Sequence, residues 1–147
     1  MIWLFLSHFF FDFICQSRDM GKKKSENFVY LFAHTFIIFI GVGIGAYYVF
    51  DKSFEKALMF GFYNAVTHCV IDGLIWRFYK IFKIIGLVGP DGFMEYLVDK
   101  KNTQKIEEFK SNFKYWEDPW FYSTIGFDQF LHFSTIYLIY EHMTRTL

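Results

Sequence analysis

The stretch SHFFFDFICQ, residues 7–16, decides how the chain is read. It sits in an apolar N-terminal run, yet carries His8, Asp12 and Gln16 at even four-residue spacing. Residues four apart share a helix face, so the three form one polar stripe on a phenylalanine-rich helix. A soluble domain rarely carries so many aromatics, and a lipid-facing helix does not tolerate an aspartate. The stretch is self-consistent as a membrane helix that turns one face to a polar interior.

The rest of the chain has the same character. Of 147 residues, 54% are hydrophobic and 24% aromatic, with 22 Phe. That length suits one domain, here residues 1–147. The formal net charge is zero, which gives no bulk attraction for nucleic acid. Cys15 and Cys69 both fall inside apolar segments; they imply no disulfide framework and read as small buried apolar residues. The opening MIWLFLS lacks a basic leader and a small-residue cleavage site, so no cleavable signal peptide is expected.

Four apolar segments stand out, over 2–17, 28–50, 54–80 and 120–141. A spanning helix needs about 20 residues; the second segment is clear, the third and fourth carry internal polar residues, and the first is short. The expected fold is all-α: a polytopic bundle of four transmembrane helices. Gly41 and Gly45 form G-x-x-x-G, which lets two helices approach closely. Twelve of the 15 basic residues fall within 17–27 or 77–118, which predicts that segments 18–27 and 81–119 are cytoplasmic and both termini outside. Within 81–119, GLVGPDGF predicts a turn with Pro90 and Gly92 as breakers. Beyond it, Ile106, Phe109, Phe113 and Trp116 at helical spacing predict a short amphipathic helix on the cytoplasmic surface or on the bundle end.

Each apolar segment carries polar residues: His8, Asp12 and Gln16; His34; Asn64, His68 and Asp72; Asp128, Gln129 and His132. Counting in from the basic ends at about 1.5 Å per residue puts the histidines and aspartates between about 8 and 18 Å deep on all four helices. Four helices thus aim polar groups at one layer in the cytoplasmic half. Three unpaired aspartates there would repel one another, and no lysine or arginine is expected at that depth; the nearest, Arg77, sits at the edge. A divalent cation supplies the missing charge, because imidazole and carboxylate are its usual ligands. The expected ligand set is His8, Asp12, His34, His68, Asp72, Asp128 and His132, with zinc the leading metal and manganese or iron as alternatives. Carboxylates that are protonated or share protons with the histidines, or hydrogen bonds that merely glue the helices, are the other solutions. Gln16, Asn64 and Gln129 are placed to orient ligands or substrate.

Such a site fits a metal-dependent hydrolase in which Asp12, Asp72 or Asp128 acts as general base. Its substrate would be a lipid head group or lipid-linked phosphate, with Lys22, Lys23, Lys24 and Arg77 reading as topology signal that can also attract an anion. The alternatives are a metal-ion or proton transporter, disfavoured by nearly apolar outer halves, and a non-catalytic membrane module with a structural polar site. Membrane lipids are the expected partners, and an oligomer stays open.

The arrangement resembles the bacterial and phage membrane-protein family catalogued as domain of unknown function 3307. The matching pieces are H-x-x-x-D-F-x-x-Q at His8, Asp12, Phe13 and Gln16, a histidine early in the second span at His34, H-x-x-I-D at His68, Ile71 and Asp72, and GFDQFLH with Asp128, Gln129 and His132. The resemblance covers the four apolar segments and skips 81–119. It implies the polar site and a bacterial inner membrane as the location, but carries no activity.

Overall fold

The computed structural model describes residues 1–99, 103–112, 114 and 117–146, and within them it is all-α. The helices are α1 (Ile2–Phe9, continued by a π-helical turn over Phe10–Ile14), α2 (Arg18–Lys23), α3 (Phe28–Val49), α4 (Phe54–Asp99), α5 (Thr103–Asn112) and α6 (Pro119–Thr146).

Side-chain caps fix the short connections. Ser17 accepts the Met20 N–H at the start of α2, and Asn27 accepts the Val29 N–H at the start of α3. Asp51 and Lys52 take left-handed φ angles of 51° and 64°, which stops α3 and turns the chain into α4.

Two compact units result: Met1–Leu74 with Phe127–Leu147, and Ile75–Gly126. In the first unit four helical segments pack, with Leu4, Ile38, Val42, Ala46, Phe50, Ala57, Phe60, Ile136 and Met143 as an apolar core at one end. Gly41 and Gly45 hold α1 against α3. A Cβ added at Gly41 would come within 2.1 Å of the Phe11 ring, and one at Gly45 within 2.9 Å of Ser7. The Ser7 hydroxyl donates to the Gly41 carbonyl at 2.7 Å.

The outer surface of this unit is apolar. On α3 the residues Phe28, Phe32, Phe36, Ile40, Ile44 and Tyr48 are all exposed at four-residue spacing, and on α4 Phe54, Leu58, Phe62, Val66, Val70 and Leu74 repeat the pattern. Among the described residues, two helices are long and apolar enough to cross a membrane, Phe28–Val49 and Phe54–Val98, with 22 and 45 residues. Ile2–Ile14 is apolar but shorter.

In the second unit α4 runs on past Lys80, so the third apolar segment does not end there. Tyr79 and Ile84 are buried, which gives the extension a packed face. The turn expected over 86–93 is instead one break at Gly89 (φ 78°, ψ 165°), with Gly92 helical. Proline disfavours helical backbone at the residue before it, and only glycine takes that φ without a Cβ clash. α5 matches the expected amphipathic helix, with Ile106 fully buried; Phe113 and Trp116 lie outside the described residues. Asp118 caps α6 by accepting the Trp120 N–H at 3.2 Å, directly before Pro119. Its other oxygen meets the Tyr79 hydroxyl and Lys83 Nζ, each at 2.6 Å. Burial pushes this carboxyl up, but the Lys83 and Tyr79 bonds and the Trp120 N–H outweigh it and hold Asp118 below the usual carboxylate range.

Candidate metal centre

The seven histidines and aspartates singled out in the sequence form one cluster, all of it inside the first unit and all of it buried. α1 and its π turn supply His8 and Asp12, α3 supplies His34, α4 supplies His68 and Asp72, and α6 supplies Asp128 and His132. Asp12 sits in the middle of the π-helical turn, closed by the Cys15 N–H to the Phe10 carbonyl at 3.2 Å. Such one-residue widenings recur where a helix must re-aim a functional side chain.

His34 and His68 form the centre. Their Nε2 atoms face each other at 2.9 Å. Asp12 Oδ1 lies 3.1 Å from His34 Nε2 and 3.8 Å from His68 Nε2. Asp72 Oδ2 lies 3.2 and 3.1 Å from the same two nitrogens. Only one proton fits between two facing nitrogens, so these four atoms crowd their lone pairs around a common point.

A second group adjoins the first. Asp72 Oδ1 is 3.6 Å from His132 Nε2, and Asp128 Oδ1 is also 3.6 Å from it. The His132 ring stacks on His68 with centroids 4.0 Å apart and planes 17° from parallel. His8 packs against both rings at 5.1 Å, with Nε2 3.9 Å from Asp12 Oδ2.

Many of these atoms lack a directed hydrogen bond. Both His8 nitrogens, both Asp72 oxygens, Asp128 Oδ1 and His132 Nε2 are buried without one. Unsatisfied buried polar atoms are rare in folded proteins, and imidazole nitrogens and carboxylate oxygens gathered in this way are groups that could hold a metal ion. The triads His8–His68–His132, Asp12–His34–His68 and Asp72–Asp128–His132 each bring three donor atoms within 4.8 Å of one another.

Of the three amide residues, Gln129 and Asn64 join the cluster. Gln129 Nε2 donates to Asp12 Oδ2 at 2.9 Å and more weakly to Asp128 Oδ2 at 3.4 Å, so it ties two aspartates together across helices. Asn64 is buried one turn before His68, beside His8. Gln16 lies instead against Gly21, with its Oε1 buried and unpartnered. Thr67 bonds its own helix through the Tyr63 and Asn64 carbonyls, and Cys15 is exposed rather than buried.

One expectation is corrected. The sequence placed no lysine or arginine at the depth of the aspartates, but Lys24 is there. Its Nζ lies 2.8 Å from Asp72 Oδ2, 3.2 Å from His34 Nε2 and 3.9 Å from Asp12 Oδ1. The contact with Asp72 is an ion pair by distance that misses hydrogen-bond direction. The neighbouring Lys23 behaves as a surface lysine, paired with Asp19 and lying over the Tyr30 ring. A tract of three lysines gives no sign of which one turns inward. The selection is made by the capped α2–α3 corner, which leaves Lys24 four residues before α3 with a side chain long enough to reach its second turn.

No curated protein and no solved structure matches the chain. Its sequence does match, over residues 1–147, the family described as protein of unknown function (DUF3307), and the chain belongs to that family.

Proposed function

We propose that the protein is a four-span membrane protein of a bacterial inner membrane whose His/Asp cluster binds divalent metal and hydrolyses a phosphate-containing, lipid-borne substrate. The observation that carries the metal reading is the convergence of buried, unpartnered donor atoms from four helical segments. The membrane reading is supported by the inside-out surface: charged and polar groups in the interior and rows of phenylalanine, leucine and isoleucine outside. Exposed apolar area on that scale needs a lipid or protein cover. Segments 2–17 and 120–141 complete the four spans by packing against the two long apolar helices.

A bound divalent ion lowers the pKa of a coordinated water to about 7 and polarises a phosphoryl oxygen. The chain's own groups then divide the remaining work. Imidazoles and carboxylates hold the ion, zinc first and manganese or iron as alternatives. Gln129 fixes the orientation of Asp12 and Asp128, one of which is free to accept the proton of the attacking water. Lys24, the only cation at the cluster among the described residues, presents an ammonium to a phosphate oxygen.

The second reading, a metal-free ion-pair network that only holds the helices, is favoured by that same lysine. Against it stands the count: three carboxylates face one ammonium. A transporter fits less well, because the apolar core of Ile38, Val42, Phe60 and Ile136 closes the same unit beyond the cluster. The test is hydrolysis of p-nitrophenyl phosphate and of a short-chain phospholipid by the detergent-purified protein. Activity that a chelator abolishes and zinc or manganese restores supports the proposal. Metal-free protein with chelator-insensitive behaviour sinks it.

A further inference from the structure

We propose that the cluster holds two metal ions, bridged by the Asp72 carboxylate, and that the pair is a clamp for a phosphate ester. This rests on the metal reading above and fixes the number of ions and the ligand class.

The donor atoms divide according to which Asp72 oxygen they face. Around Oδ2 stand His34 Nε2, His68 Nε2 and, beside them, Asp12 Oδ1, 2.9 to 3.8 Å apart where they face one another, with Lys24 Nζ 2.8 Å from the same oxygen. Ligands on a tetrahedral ion with bonds of about 2.0–2.1 Å stand about 3.3 Å apart, so this group already has the dimensions of one coordination shell. Around Oδ1 stands His132 Nε2 at 3.6 Å, which in turn lies 3.6 Å from Asp128 Oδ1. That is a second, slightly wider shell sharing one carboxylate with the first.

A single ion in the first group would leave the second without work. His132 Nε2, Asp128 Oδ1 and the outer Asp72 oxygen would stay buried with only their 3.6 Å approaches to the imidazole and no directed hydrogen bond. Three such atoms beside one another are not an arrangement that helix packing alone maintains.

The spacing of the two groups agrees with a pair. The His68 and His132 rings are nearly parallel, 4.0 Å apart, and both direct Nε2 at the same carboxylate. Two-metal hydrolytic sites hold their ions about 3.5–4 Å apart. Near-parallel rings at this distance are compatible with each imidazole ligating a different ion. His8 lies against both rings and can complete either shell.

Charge then names the ligand. Three carboxylates and Lys24 leave a formal charge of −2. One divalent ion makes the cluster neutral, and a second makes it +2, which a phosphate dianion neutralises. A pair of ions suits in-line displacement at phosphorus because it meets both the attacking and the leaving oxygen.

The full-length protein in detergent, stripped with chelator, is titrated with Zn²⁺ and the bound ion counted after removal of the excess. Two equivalents per chain are expected for wild type, and one each for His34→Gln and His132→Gln, which remove a ligand from opposite sides. One equivalent in wild type overturns the pair while leaving a single-metal hydrolase standing. No binding overturns both. The same protein loaded with Co²⁺ tests the bridge without depending on the histidine variants: a magnetically coupled signal is expected in wild type and lost in Asp72→Asn. Two uncoupled ions, unchanged by Asp72→Asn, overturn the bridge.

Discussion

Lys24 Nζ lies 2.8 Å from Asp72 Oδ2, with both side chains buried. A buried ammonium against a carboxylate answers part of the charge problem that three clustered aspartates create. Removing one partner of a buried pair typically costs about 3–5 kcal/mol, because the other charge is left alone. A metal ion on the same carboxylate would take over that compensation. Lys24→Met is therefore expected to lower the melting temperature strongly in chelator and much less with zinc present. Thermal unfolding in detergent under both conditions checks this; an equal loss in both would make Lys24 the permanent counter-charge of Asp72.

Gln129 reaches Asp12 at 2.9 Å and Asp128 at 3.4 Å through one amide nitrogen. Groups that orient metal ligands usually contribute about 10–100-fold in metal affinity. Gln129→Leu is expected to weaken zinc binding by about that factor without changing the number of ions bound. Competition with a chromogenic chelator reads the affinity directly.

The helix contact at Gly41 controls whether α1 can bring His8 and Asp12 into the cluster. A methyl there would fall 2.1 Å from the Phe11 ring, whereas one at Gly43 meets only the Ala57 carbonyl at 3.7 Å. Overpacking of this kind costs about 1–3 kcal/mol. Gly41→Ala is expected to destabilise by that amount and to reduce bound metal, with Gly43→Ala close to wild type in both. Melting temperature and metal content of the two variants, measured side by side, make the comparison.

The Asp118 cap is a separate feature of the second unit. Asp118→Ala is expected to cost about 1 kcal/mol, the usual value for a lost helix N-cap. Since the folded carboxyl lies below its ordinary value, its contribution is present above about pH 4 and fades as acid protonates it. The gap in melting temperature between wild type and Asp118→Ala should therefore narrow between pH 7 and pH 3.

The helices and the cluster were legible because each rests on a period. Phenylalanine and isoleucine run through segments of helical length, and His/Asp pairs repeat at four-residue spacing in α1, α4 and α6. Depth counting then required only the rise of a helix. What escaped depended on tertiary geometry. The inward turn of Lys24 follows from its place at the C-terminal end of α2, just before the Asn27 cap of α3, and nothing in a run of lysines encodes it. The extension of α4 past Lys80 depends on what Tyr79 and Ile84 pack against. Asp118 before Pro119 is a readable helix start, directly ahead of the apolar run over 120–141.

Metal binding by the buried His/Asp cluster underlies the hydrolase reading and the Lys24, Gln129 and Gly41 predictions alike. Elemental analysis of the protein as purified in detergent, with no metal added, tests it most directly when wild type is set beside Asp72→Ala and His132→Ala and each is shown to be folded by circular dichroism. Zinc, manganese or iron is expected in stoichiometric amount in wild type, with a clear drop in both folded variants. Wild type at background metal, indistinguishable from the two variants, would contradict it.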